Sequence, residues 1–124
     1  MDEAGYRSLV VWQKAMDFVE EVYRVTDLLP DGEKFGLVSQ LQRSSVSVPS
    51  NIAEGYARTH LKDYLRILLY AKGSLAEAET QVMICVRTRR IDREDAKPAW
   101  ALAQEVGRLL SAIQNTLSSR VAKP

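Results

Sequence analysis

Apolar or small residues recur along four stretches of this chain at alternating intervals of three and four, and no other feature constrains the fold as tightly. That interval keeps side chains on one side of an α-helix and forms a seam for packing against other helices. In the first stretch the seam is Leu9, Trp12, Met16, Val19, Tyr23 and Thr26. In the second it is Val38, Leu41, Ser45, Val48, Ile52 and Gly55. The third carries Leu61, Tyr64, Leu68, Ala71, Leu75, Ala78, Val82 and Cys85, and the fourth Ala96, Ala99, Ala103, Val106, Leu110, Ile113 and Leu117. No stretch alternates with the two-residue period of a half-buried strand. Short connections make consecutive helices antiparallel neighbours. The pattern predicts an all-α fold, an antiparallel up-down four-helix bundle, filling residues 1–124 as one domain with helices at about 8–29, 33–58, 60–89 and 93–118.

Turn and capping signals separate the four. Pro30-Asp31-Gly32 divides the first two, with Asp31 a candidate N-cap. Thr59 is a candidate cap for the third helix, and Asp92 with Asp95 three residues on resembles a capping box for the fourth. Pro49 falls inside the second helix, where a proline removes a hydrogen bond and clashes with the preceding turn at a cost of roughly 3 kcal/mol. The seam continues on both sides of it, so helix two is expected to kink or break near Pro49, with Ser45 and Ser47 beside the defect. Pro98 is expected to delay or bend the start of the fourth helix.

The first helix carries a second seam, Val11, Ala15, Phe18, Val22, Val25 and Leu29. At about 100° of rotation per residue the two seams together cover half the circumference. A helix packed against two bundle neighbours has a face about that wide; alternatively, part of the surface meets another subunit.

At 124 residues the chain is long enough to bury a core without disulfides or metals. It is 46% hydrophobic and 27% charged, the balance of a folded protein rather than a disordered one. A single cysteine excludes an intrachain disulfide framework and points to a reducing compartment. No apolar run is long enough to cross a bilayer, and the first residues lack the basic start and apolar stretch of a signal peptide. A cytoplasmic protein without membrane contact is expected.

Catalytic signatures are scarce. The one histidine, His60, stands beside a helix start, where a solvated or capping role is usual. Cys85 lies on the third seam, where a small core residue is expected rather than a nucleophile. Clustered His, Cys and acids for a metal site are missing, as is the Glu-x-x-His pattern of di-iron bundles. The glycines form no phosphate loop. No cofactor, no metal and no enzyme activity are expected.

Polar residues near the seams suggest contacts of another kind. Lys72 and Glu79 lie close to the third seam, about 10 Å apart along the helix, so each needs a partner on another helix or subunit. Arg43, Ser47, Ser50, Asn51, Glu54 and Arg58 share one broad face of helix two. That face is either solvated or a packed polar interface in an oligomer or against a ligand, in which Arg43 pairs with Glu54 of another copy.

Net charge is +1, but it is unevenly spread. Residues 1–57 hold 5 Lys/Arg against 9 Asp/Glu, a balance of −4, and residues 58–124 hold 12 against 7, a balance of +5. Arg87, Arg89, Arg90 and Arg93 surround the turn between helices three and four; Arg58, His60, Lys62 and Arg66 surround that between helices two and three. The two clusters belong at opposite ends of an up-down bundle. Such clusters suit phosphate binding, yet helix C-termini favour Arg and Lys in any case. Asp27, Asp31 and Glu33 belong at the end of Arg89 and Arg90, where they could neutralise that cluster within one subunit or across a subunit boundary.

Residues 37–55, LVSQLQRSSVSVPSNIAEG, resemble the signature of the four-helix-bundle proteins encoded in 23S rRNA intervening sequences of bacteria. VWQKA at 11–15 is similar to the family's opening helix, and AKGSLAE at 71–77 to its third-helix motif. The resemblance implies an up-down bundle assembled as a ring, most often a homopentamer. It also implies a relationship to the accessory variability proteins of diversity-generating retroelements, basic pentamers that bind nucleic acid and a reverse transcriptase. It supplies no catalytic residues.

The expectation is therefore a non-enzymatic homo-oligomer that binds RNA or DNA electrostatically through Arg58, Lys62, Arg66, Arg87, Arg89, Arg90 and Arg93. Arg43, Ser47, Asn51, Glu54, Lys72 and Glu79 are expected in an oligomer or buried polar interface. The alternative is a protein-interaction scaffold that binds a protein partner and no nucleic acid.

Overall fold

In the computed structural model, which describes residues 5–123, the chain forms four α-helices with no strand among those residues. They are α1 (Val10–Asp27), α2 (Ser39–Tyr56), α3 (Leu61–Arg87) and α4 (Arg93–Ala122). Residues 1–4 and 124 of the expected domain lie outside the described part. Each helix packs against the next and α4 returns to α1, leaving α1 and α3 on a diagonal. The turns between α1 and α2 and between α3 and α4 share one end. The α2–α3 turn, the start of α1 and the C-terminus of α4 share the other. α3, with 27 residues, is about 40 Å long at 1.5 Å per residue.

The expected seams of α2 and α4 are the buried ones: Leu41, Ser45, Val48, Ile52 and Gly55 on the former, and Ala96, Ala99, Ala103, Val106, Leu110 and Leu117 on the latter. α3 buries its seam from Leu68 to Cys85, but Leu61, in its first turn, is exposed. On α1 the order of the seams is reversed. Val11, Ala15, Phe18, Val22, Val25 and Leu29 form the core, whereas Met16 and Tyr23 are 40% and 43% exposed. Both seams are apolar, and neighbours rather than local pattern decide which turns inward.

α2 and α3 make the most extensive contact of the bundle. Small residues permit it. A Cβ at Gly55 would stand 3.1 Å from Tyr64 Cδ1, so glycine sets how closely the two helices approach. A polar seam accompanies the approach. Ser44 Oγ donates to Gln81 Oε1 at 2.7 Å with both residues buried, and Ser74 Oγ and Asn51 Nδ2 both donate to Ser47 Oγ, at 3.0 and 2.9 Å.

α2 does not begin at an Asp31 cap. Asp31–Glu33 is a 3₁₀ turn, Lys34–Val38 a π turn, and the α-helix follows directly. It runs through Pro49 without interruption. Just after the proline, Ser50 Oγ donates to the Val46 carbonyl and Asn51 Nδ2 to the Ser47 carbonyl, both at 2.8 Å, adding side-chain bonds across the turn that contains Pro49. α3 is preceded by His60, not Thr59, at the cap position, and α4 by Asp92; neither makes a side-chain capping bond. α4 already begins at Arg93, ahead of Pro98, and extends to Ala122, beyond the expected end.

The end of α3 is closed by a Schellman cap. The Arg89 N–H bonds to the Val86 carbonyl at 3.0 Å and the Arg90 N–H to the Cys85 carbonyl at 2.9 Å. Arg89 itself has φ +61°, a left-handed conformation that glycine adopts freely and arginine does not. Arg89→Gly should therefore stabilise the protein by about 0.5–1 kcal/mol, read as a higher urea midpoint with unchanged slope.

Candidate nucleic-acid interface

The two arginine-rich turns lie at opposite ends of the bundle, and their surroundings differ. At the α3–α4 end, Arg90 Nε donates to Glu33 Oε1 at 2.5 Å, tying this turn to the α1–α2 turn. Arg24 reaches the Asp95 carbonyl at 2.6 Å, and Lys97 pairs with Glu94 at 2.6 Å. Asp27, Asp31 and Asp92 stand exposed at the same end. Arg87, Arg89 and Arg93 are exposed and have no ion pair among the described residues. The cations here are matched by acids, and Arg90 serves as a clamp between turns.

Among the described residues the α2–α3 end has few acids. Arg58 pairs with Glu54 at 2.7 Å within α2 and its C-terminal turn, and Arg66 approaches Asp63 at 3.6 Å within α3. Lys62 and His60 are exposed, and Lys62 has no ion pair among the described residues. The Arg66 guanidinium stands 5.8 Å from the ring centroid of Tyr70, itself exposed. Lys62, Arg66 and Tyr70 follow at intervals of four and share one face of α3. The antiparallel topology adds Arg120 and Lys123 from the end of α4 and Arg7 from the segment before α1. Arg7, Arg120 and Lys123 are far from the α2–α3 turn along the chain, and only the direction of the helices brings them to this end.

The remaining expected site residues are dispersed. Ser47 and Asn51 face α3 of the same chain, whereas Arg43 and Glu54 are exposed, and Glu54 pairs with Arg58. Lys72 is exposed rather than buried and donates to Gln114 of α4 at 2.7 Å. Glu79 is half-buried. Cys85 is fully buried, and burial first, then the Glu33 carboxylate, pushes its thiol up, away from the reactive thiolate. Among the described residues no three His, Cys, Asp or Glu side chains could share a metal ion, and no helix is long and apolar enough to cross a membrane.

Burial raises the Glu79 carboxyl above its ordinary value. The folded protein then holds this proton more tightly than the unfolded chain, so stability falls as pH rises through the window between the two values. Above that window the charged group is a small, constant penalty. Glu79→Gln should raise the melting temperature at neutral pH, and the gain should disappear at acidic pH where Glu79 is protonated. Melting curves across that range check it.

The sequence profile of the 23S rRNA-intervening sequence protein family matches residues 7–112. The fold is similar to that of a crystal structure of a protein of unknown function from the S23 ribosomal protein family of Bacteroides thetaiotaomicron VPI-5482, with a TM-score of 0.78 and 26% identity over 85% of this chain and 98% of that one. No curated protein matches.

Proposed function

Because this chain belongs to the 23S rRNA-intervening sequence protein family, we propose that it is a non-enzymatic, self-assembling bundle that binds RNA electrostatically at its α2–α3 end. The observation that carries this reading is the segregation of charge. Among the described residues, Arg58, Lys62, Arg66, Arg120 and Lys123 gather where Glu54 and Asp63 are the opposing acids, while the cations of the other end meet acids in comparable number. Phosphate contact needs several cations on one surface, and a single copy supplies a modest number. Copies arranged in a ring, five by the resemblance, would set these ends side by side on one rim and multiply them without any new contact. With Cys85 free and buried, the protein suits a reducing cytoplasm.

Fluorescence anisotropy with a structured rRNA fragment at low and moderate salt tests the reading. Binding should weaken steeply with salt. The triple variant Arg58→Ala/Lys62→Ala/Arg120→Ala should lose roughly tenfold or more in affinity and flatten the log–log salt slope by about 0.7–0.9 for each phosphate contact removed. Arg89→Ala, at the opposite end, should leave both unchanged. Negligible binding at low salt, or a triple variant indistinguishable from wild type, overturns the reading. The competing role as a protein scaffold rests on a different observation, the apolar surface left open between α3 and α4 near Trp100.

A further inference from the structure

Two surfaces of the bundle complement each other. On the outer side of α3 and α4, near the α3–α4 turn, lies an open groove of about 420 Å³. Val82, Met83, Val86, Ala96 and Trp100 make its apolar floor and walls. Met83 and Trp100 remain 43% and 37% exposed, large apolar side chains left open by the described residues. Arg87 and Arg93 stand at its margin with no ion pair among the described residues, and Lys97 adds a third cation, paired with Glu94.

The second surface is the seam of α1 that fails to turn inward. Met16, Glu20, Tyr23 and Asp27 follow at intervals of four, three and four, so they form one straight stripe of alternating apolar and acidic side chains. All four are exposed, and neither Glu20 nor Asp27 has an ion pair among the described residues. The opposite flank of α1 meets α4, through Lys14 with Glu105 and Arg24 with the Asp95 carbonyl. Thr26, adjoining Tyr23, accepts a bond from Gln42 of α2. The stripe therefore turns away from α4, toward the outer face shared by α1 and α2. The groove opens on the outer face shared by α3 and α4, across the bundle.

We infer that the groove receives the α1 stripe of a second copy of this chain, with Tyr23 and Met16 against Trp100 and Met83 and with Glu20 and Asp27 toward Arg87 and Arg93. Three features favour a second copy over an unrelated occupant. The stripe carries the apolar spacing and the charge that the groove lacks. Both surfaces lie in the half of the bundle nearest the α1–α2 and α3–α4 turns, at matching height. They sit on opposite faces, so each copy offers one of each to its neighbours, a head-to-tail contact that makes a closed ring when the rotation closes. The inference rests on the self-assembly stated above and assigns it an interface.

Multi-angle light scattering of the purified full chain, with circular dichroism to establish that each variant is folded, tests it. Wild type should be an oligomer. Arg87→Glu/Arg93→Glu and, separately, Glu20→Arg/Asp27→Arg should each shift the chain toward monomer, with at least about tenfold weaker association, because like charges then face each other. These are exposed side chains, so both variants should keep the helical spectrum. Mixing the two variants should restore a joined species, because each variant's stripe then meets a groove of opposite charge on the other. A wild type that stays monomeric overturns self-assembly and this interface with it. A wild-type oligomer that neither reversal weakens, or that both weaken without recovery on mixing, overturns the interface alone.

Discussion

Phe18→Ala should lower the stability of the folded subunit by roughly 3–5 kcal/mol, with a fall in Tm on the order of 10–20 °C. Phe18 is the largest fully buried side chain among the described residues and lies midway along the inward seam of α1. Removing its ring loses the transfer energy of the ring and leaves a cavity among close-packed neighbours that cannot fully collapse. Val10→Ala, one residue before the same seam begins and exposed, should stay within about 0.5 kcal/mol of wild type. Urea denaturation followed by circular dichroism checks both. Equal effects would mean that α1 is docked through some other face.

The second large effect concerns the buried polar pair between α2 and α3. Ser44 and Gln81 are 5% and 6% exposed, and each depends on the other for its closest side-chain hydrogen bond. Ser44→Ala strips Gln81 Oε1 of its donor inside the helix contact, and Gln81→Leu strips Ser44 Oγ of its nearest acceptor. An abandoned buried polar group costs about 1–3 kcal/mol. Gln81→Leu should be the milder change, because Ser44 Oγ can turn to the Leu41 carbonyl at 3.2 Å. The double variant, apolar on both sides, should recover much of the loss, so the double-mutant cycle should give a coupling energy above about 0.5 kcal/mol. Additive losses would show that the two side chains do not act as a pair.

Much of this architecture was legible from the spacing of apolar residues. The seams of α2 and α4 matched the buried positions because in each an unbroken line of apolar or small residues runs the length of the helix, widened on α4 by Leu102 and Leu109. α1 was ambiguous for a physical reason. Its two lines, through Met16 and through Phe18, are both apolar, and only the placement of α2 and α4 decides which faces inward. Met16 and Tyr23 were thus misplaced in the core, although the breadth of the apolar face was itself a sign that more than the bundle interior was being served. Ser44 with Gln81 was hidden because the partners are separated by 37 positions along the chain. The basic end was half visible. Arg58, Lys62 and Arg66 cluster in sequence, whereas Arg120 and Lys123 join them only through the antiparallel course of α4. Arg90 belongs to a basic run by sequence, but the course of the helices also places Glu33 at its end of the bundle, and its guanidinium is held by Glu33.

Cys85, the sole thiol, lies sealed beneath the cap that closes α3. Its burial makes it a built-in clock for opening of the molecule. A disulfide-exchange reagent can reach the sulfur only during excursions that part α3 from its neighbours, so the labelling rate under native conditions reads the frequency of those excursions without any added probe.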